Sequence, residues 1–144
     1  MLIKSVPSVE APLDLLLEAD PSLVAIKRYL ERSICCVATV GEETVGAYVI
    51  QPLGDGVYEL MNIAVAPAFQ RRGLAWALLR HLQDTCTARD TSVIYLEVRA
   101  SNTPARELYT RFGYQQTGTR KAYYRTEGGR EDAILMMQTL HPHK

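Results

Sequence analysis

The stretch that most constrains this chain runs from Val57 to Arg89, where a strand pattern breaks at a proline and reopens as a helix. Val57 to Val65 has the composition of a strand, and Pro67 ends it. From Leu74 to Arg89 the period becomes helical. Leu74, Leu78, Leu82 and Cys86 mark one stripe, which Ala75 and Leu79 widen. Between strand and helix lies Gln70-Arg71-Arg72-Gly73-Leu74-Ala75. The first N–H groups of a helix have no intrahelical partner and sit at the positive end of its dipole. Small residues at Gly73 and Ala75 let a ligand approach that backbone, and Arg71 and Arg72 add charge beside it. Such a place suits phosphate oxygens. The plainer reading is a surface turn with two solvated arginines. Neither GxGxxG nor a Gly-Lys-Ser/Thr loop is present, so dinucleotide and Walker fingerprints do not apply.

Around this unit the periodicity predicts an order of β-α-α-β-β-β-α-β-α-β-β, a mixed α/β (α+β) arrangement. Leu2 to Val6 reads as an edge strand stopped by Pro7. Leu13 to Leu17 is helical, and a second helix is expected to open at Asp20-Pro21, with Leu23, Ile26 and Leu30 on one stripe. Cys36 to Val40 and Thr44 to Ile50 flank a short turn and read as a hairpin. Val93 to Val98 has the mostly apolar run of a strand buried on both faces. Pro104 to Phe112 is a short helix stopped by Gly113, and two strands follow, roughly Tyr114 to Tyr123 and Asp132 to Thr139.

With 144 residues and no repeat or linker, one domain over 1–144 is expected. Sixteen basic residues balance sixteen acidic ones, which argues against a nucleic-acid partner and makes any anion site local. Cys35, Cys36 and Cys86 show no CxxC spacing. They read as buried free thiols, with Cys35 and Cys36 on opposite strand faces, and no metal site is expected. No apolar run suits a leader or a membrane span, so the cytoplasm is the expected compartment.

Two segments carry a family resemblance. Gln-Arg-Arg-Gly-Leu-Ala, after a strand ending Asn62-Ile63-Ala64-Val65, resembles the Q/R-x-x-G-x-G/A motif of the GNAT superfamily of N-acetyltransferases. Leu96-Glu97-Val98-Arg99-Ala100-Ser101-Asn102, then Ala105, Leu108-Tyr109 and Phe112-Gly113-Tyr114, resemble its second motif, in the family's order and spacing. The resemblance implies a central sheet of about seven strands, mostly antiparallel, splayed between the fourth and fifth, with flanking helices. It implies acetyl-CoA as cosubstrate, its pantetheine arm pairing with main-chain groups of Ile63, Ala64 and Val65. The pyrophosphate would rest on amides from Arg71 to Trp76, beside Gln70, with Ala75 replacing the commoner glycine.

Asn102 is either a helix cap or a contact to the cofactor arm. Tyr109 is either a core tyrosine or, as the family implies, the general acid near the thioester sulfur. An acceptor α-amine has a pKa of about 8 and lysine about 10.4, so a proton must leave before attack. Glu97, on an otherwise apolar strand, is the first candidate base. Glu59 is the second, on a face shared with Met61 and Ile63 if no bulge intervenes. Either carboxylate could instead be paired with an arginine. The family implies direct transfer in a ternary complex, with a main-chain N–H near Val65 polarising the carbonyl.

The C-terminal half resembles the bacterial branch that acetylates the N-terminal alanine of ribosomal proteins, through Leu96–Asn102, Tyr123-Tyr124 and Gly129–Met136. In that branch's pattern Glu97 is the base and Tyr109 the acid, and Tyr124 lines the acceptor channel. The first third departs from the branch, carrying Asp20-Pro21-Ser22-Leu23-Val24 and no Trp before Trp76. Small amines such as polyamines or aminoglycosides therefore remain alternative acceptors to a protein N-terminus, and a non-catalytic acetyl-CoA sensor is a third reading. Arg120-Lys121 and Arg125 read as a solvated strand face or a lip. Domains of this family often pair, so a homodimer is compatible with the resemblance.

Overall fold

A computed structural model describes residues 1–140. The last four residues of the expected 1–144 unit lie outside the described residues. The elements follow the expected order: β1 (Leu2–Val6), α1 (Leu13–Ala19), α2 (Leu23–Leu30), β2 (Ile34–Val40), β3 (Glu43–Gly54), β4 (Val57–Val65), α3 (Leu74–Thr87), β5 (Val93–Arg99), α4 (Thr103–Phe112), β6 (Gln115–Thr126) and β7 (Gly129–Thr139). They form one seven-stranded sheet in the order β1-β2-β3-β4-β5-β7-β6. Its pairs are antiparallel except β4–β5, the pair joined through the α3 crossover.

Each face of the sheet buries its own core. Tyr48, Leu60, Ile94, Leu96 and Met136 pack under α3 and α4, against Leu78, Leu82 and Tyr109. On the other face Cys35, Val37, Ala47 and Val49 pack under α1 and α2, against Leu16, Ile26 and Leu30. Cys35 and Cys36 fall in different cores, as strand alternation requires, and all three thiols are free and buried. Truncating a fully buried leucine such as Leu78 costs about 2–5 kcal/mol. Gly46 lets α3 sit close to the sheet, because a Cβ there would meet Leu78 Cδ1 at 3.1 Å.

Some boundaries differ from expectation. α2 starts at Leu23, capped by Ser22, whose hydroxyl accepts from Ala25 N at 3.1 Å. Asp20 does not cap it. Asp20 ends α1 and accepts the Ser22 N–H at 3.0 Å instead. α3 stops at Thr87 rather than Arg89. β6 and β7 extend to a tight turn at Glu127-Gly128, because the hairpin register continues out to Thr126↔Gly129.

Candidate active site

β4 and β5 pair only from Val57↔Val93 to Leu60↔Leu96, although both strands continue beyond that point. Past Leu60 and Leu96 they part, opening a cleft of about 750 Å³. Ala66 N donates to Val45 O at 2.8 Å, which fixes the hydrogen-bonded pairs between β3 and β4. Alternation then turns the main-chain groups of Ala64 toward β3 and those of Ile63 and Val65 into the gap. Of the three residues expected to offer backbone there, Ala64 is thus engaged elsewhere. Its side chain is buried as well.

The loop beyond β4 folds back on that strand. Gln70 Nε2 donates to Val65 O at 3.0 Å, so Gln70 works through the main chain of Val65. Arg71 has φ of 63° and Gly73 of 79°, two left-handed residues that swing the chain into α3. Gly73 caps the helix without a side chain, and the first intrahelical bond is Ala77 N to Gly73 O, 3.1 Å. The N–H groups of Leu74, Ala75 and Trp76 precede that bond and lack intrahelical acceptors. A Cβ at Gly73 would meet nothing within 4 Å, so the cradle is open and the glycine is required by its φ. Arg72 lies over the Phe69 ring at 5.3 Å, and the Trp76 and Phe112 rings pack edge to face, 4.8 Å apart. Geometry and charge here fit a diphosphate.

Further along the cleft stand Glu97, Arg99, Asn102, Tyr109 and Tyr124. Asn102 caps α4, its Oδ1 accepting from Ala105 N at 3.3 Å, while it also lines the cleft. Tyr109 projects from α4 with 7% exposure. Burial, and secondarily Tyr124, pushes its hydroxyl up to about 12. Tyr124 is likewise pushed up to about 12, by burial and then by Glu97.

The two candidate bases share the α1–α2 face of the sheet, because β5 buries Leu96 and Val98 on the other. Glu97 Oε1 lies 3.0 Å from Arg120 Nε and its side chain is 21% exposed. It is therefore arginine-paired, and it lines the cleft. Glu59 stands on β4 opposite Tyr95 and is not part of the cleft wall. Burial raises its pKa above the usual carboxylate value, with Glu97 adding to the rise and Arg120 opposing it. A bulge does intervene in β4. Val49 pairs with Asn62 and Ile50 with Leu60, leaving Met61 as the extra residue. Glu59 and Met61 consequently face α1 and α2, whereas Ile63 packs with the α3 core.

Tyr124 lines the cleft, as the resemblance implies, and contacts between residues far apart in sequence hold it there. Arg99 NH1 reaches Glu131 Oε1 at 3.1 Å and Arg125 O at 3.3 Å, and its guanidinium lies 4.3 Å over the Tyr124 ring. Glu131 Oε2 also accepts from Ser101 N. A bulge in β6 between Arg120 and Tyr124, where Ala122 has φ of 52°, aims Tyr123 and Tyr124 at the cleft. Asp132 holds this bulge, taking the Ala122 N–H at 2.9 Å. Opposite them the end of α1 and the α1–α2 loop, Glu18 to Ser22, form the other wall.

Another cavity of about 730 Å³, on the flank of α4 and β6, contains none of the candidate catalytic or cofactor-binding residues. Among the described residues no cluster of His, Cys, Asp or Glu is placed to hold a metal ion, and no helix is long and apolar enough to cross a membrane.

The family model described as "Acetyltransferase (GNAT) family" matches residues 9–114. The ribosomal protein bS18-alanine N-acetyltransferase of Escherichia coli is 51% identical over 77 residues, 54% of this chain and 52% of that protein. The chain thus spans about half the length of such curated relatives. The crystal structure of the ribosomal-protein-S18-alanine N-acetyltransferase from Escherichia coli superposes with a TM-score of 0.87 at 32% identity, over 99% of this chain and 96% of that one. A GNAT family acetyltransferase from Elizabethkingia anophelis with acetyl-CoA bound gives 0.89 at 29% identity, over 96% and 97%.

Proposed function

The chain belongs to the GNAT acetyltransferase family, and from that premise we propose that it moves an acetyl group from acetyl-CoA to the α-amino group of a protein N-terminus. One observation carries the reading. The unpartnered start of α3, the parted strands β4 and β5, and the pair Glu97 and Tyr109 all open on one cleft. Single-domain action over 1–144 in the cytoplasm is part of the same proposal, consistent with three free buried thiols.

Acetyl-CoA supplies an acyl group on a thiol leaving group. The N–H groups of Leu74, Ala75 and Trp76, with Arg71 and Arg72 beside them, hold its diphosphate. Backbone groups of Ile63 and Val65 line the gap for its arm, and the Val65 N–H is free to polarise a carbonyl. Glu97 takes the proton that an ammonium must lose, directly or through water. Arg120, 3.0 Å away, holds that carboxylate on the cleft wall. Tyr109, kept protonated by burial, carries a proton for the departing sulfur.

A peptide acceptor is supported by the mouth as well as by the names of relatives. Tyr123, Tyr124 and Arg125 on one wall and the α1–α2 loop on the other leave an open trough, where an extended chain end can lie. Steady-state assays with acetyl-CoA should show acetylation of short peptides with a free N-terminal alanine. Turnover of polyamines or aminoglycosides alone would refute the peptide reading.

A further inference from the structure

The α1–α2 loop walls the acceptor side of the cleft, and it is tied to the β4 bulge by side chains with no role in the chemistry above. Asn62, beside the bulge and flanked by Met61 and Ile63, is 5% exposed. Its Nδ2 donates to Leu16 O at 3.0 Å and to the Tyr29 hydroxyl at 3.0 Å. Tyr29 in turn donates to Asp20 Oδ2 at 3.2 Å, and Asp20 Oδ1 accepts the Ser22 N–H. The polarity of this chain is fixed. Leu16 O is an acceptor and demands the amide NH2, so the hydroxyl must accept from Asn62 and spend its own proton on Asp20. Burial raises the Tyr29 pKa well above its ordinary value, which keeps that proton in place.

We infer that Asn62, Tyr29 and Asp20 form a positioning relay that sets the α1–α2 loop at the height of the β4 bulge and so determines acceptor affinity. This rests on the acetyltransferase reading. The bulge is where β4 leaves β5, so the relay references the acceptor wall to the strand that parts to form the cleft. Tyr29 is absent from the cleft lining, so it acts on the acceptor through its two partners that do line it, Asp20 in the loop and Asn62 on β4. The diphosphate end of the cofactor side is built from α3 and the loop before it, and no hydrogen bond of the relay reaches either.

Tyr29→Phe keeps the ring and deletes two hydrogen bonds. Two bonds of ordinary net worth shift the equilibrium between positioned and released loop by about tenfold, and apparent acceptor affinity falls by up to that factor. In the full chain, KM for an N-terminal alanine peptide should rise, by up to about tenfold, while kcat and KM for acetyl-CoA stay within about twofold. Hydrogen–deuterium exchange at residues 18–22 should quicken by a similar factor, a readout that needs no turnover. Asp20→Asn, which keeps one acceptor oxygen, should do less than Tyr29→Phe. A larger effect from Asp20→Asn would mean direct charge contact with the acceptor and overturn the relay. Unchanged exchange in Tyr29→Phe, or parallel rises in both KM values, would also overturn it. If the unmodified protein acetylates no amine, the acetyltransferase reading fails, and exchange alone still decides the relay.

Discussion

Replacing Tyr109 with phenylalanine separates a catalytic hydroxyl from a structural one. The ring is buried against Tyr114, with centroids 5.9 Å apart, and phenylalanine keeps that packing. Among the described residues the Tyr109 hydroxyl makes no hydrogen bond, so its deletion orphans no partner there. Stability should therefore change by less than about 0.5 kcal/mol, which is within about 2 °C in Tm for a chain of this size. Catalysis should suffer far more. A positioned general acid is worth about 10²–10⁴-fold, or about 3–5 kcal/mol of barrier. Single-turnover rates with saturating acetyl-CoA and an alanine peptide measure the chemical step without product release.

The pH profile adds a second check. Burial holds the Tyr109 proton until about pH 12, so this group should produce no alkaline loss of activity between pH 7 and about 10. A folded pKa raised above the unfolded value means that its stabilising contribution is complete below about 10. That contribution is lost as pH climbs toward 12, outside the assay range. A Tyr109→Phe protein with an unchanged single-turnover rate would refute the assignment. So would a Tm drop of many degrees, since it would show a structural bond where none is described.

The other perturbations follow from the same geometry. Gly73→Val places a β-branched residue at φ of 79°, where its Cβ meets nothing but its backbone is strained by about 1–2 kcal/mol. Coenzyme A affinity measured by calorimetry should fall at least tenfold while the protein stays folded. Glu59→Gln removes a carboxylate whose pKa is raised by burial and by Glu97, so the native contribution is present below the unfolded carboxylate pKa and lost as pH rises through the folded value. Thermal scans should find the variant more stable than the parent at pH 7–8, on the order of 2 °C, with the gap closing near pH 4. Arg99→Met deletes the cation over Tyr124 and its bond to Glu131. It should raise acceptor KM several-fold in peptide assays and leave coenzyme A affinity unchanged.

Element order and type could be read from periodicity because each helix stripe and strand alternation is local. The start of α3 was legible for the same reason, since Pro67, Gly73 and the leucine stripe lie within one short segment. Bulges were not. Met61 and Ala122 look like ordinary strand residues, yet they decide that Glu59 and Ile63 take opposite faces and that Tyr124 enters the cleft. The partners of Glu97 and Arg99 are distant in sequence, Arg120 and Glu131, and only the β5-β7-β6 pairing brings them together. Asp20 looked like a helix cap because it precedes Pro21, whereas Ser22 wins that role and frees Asp20 for Tyr29. One signal was available for the relay. Asn62 stands alone among apolar residues, and a buried amide needs partners.

Calorimetric titration of coenzyme A into the full chain bears most directly on the whole account, because the α3 amides, the parted strands and Tyr109 share a role only if that molecule binds. The account predicts saturable binding at one site per chain, abolished or strongly weakened by Gly73→Val. Absence of heat and of saturation in the folded parent protein would contradict it.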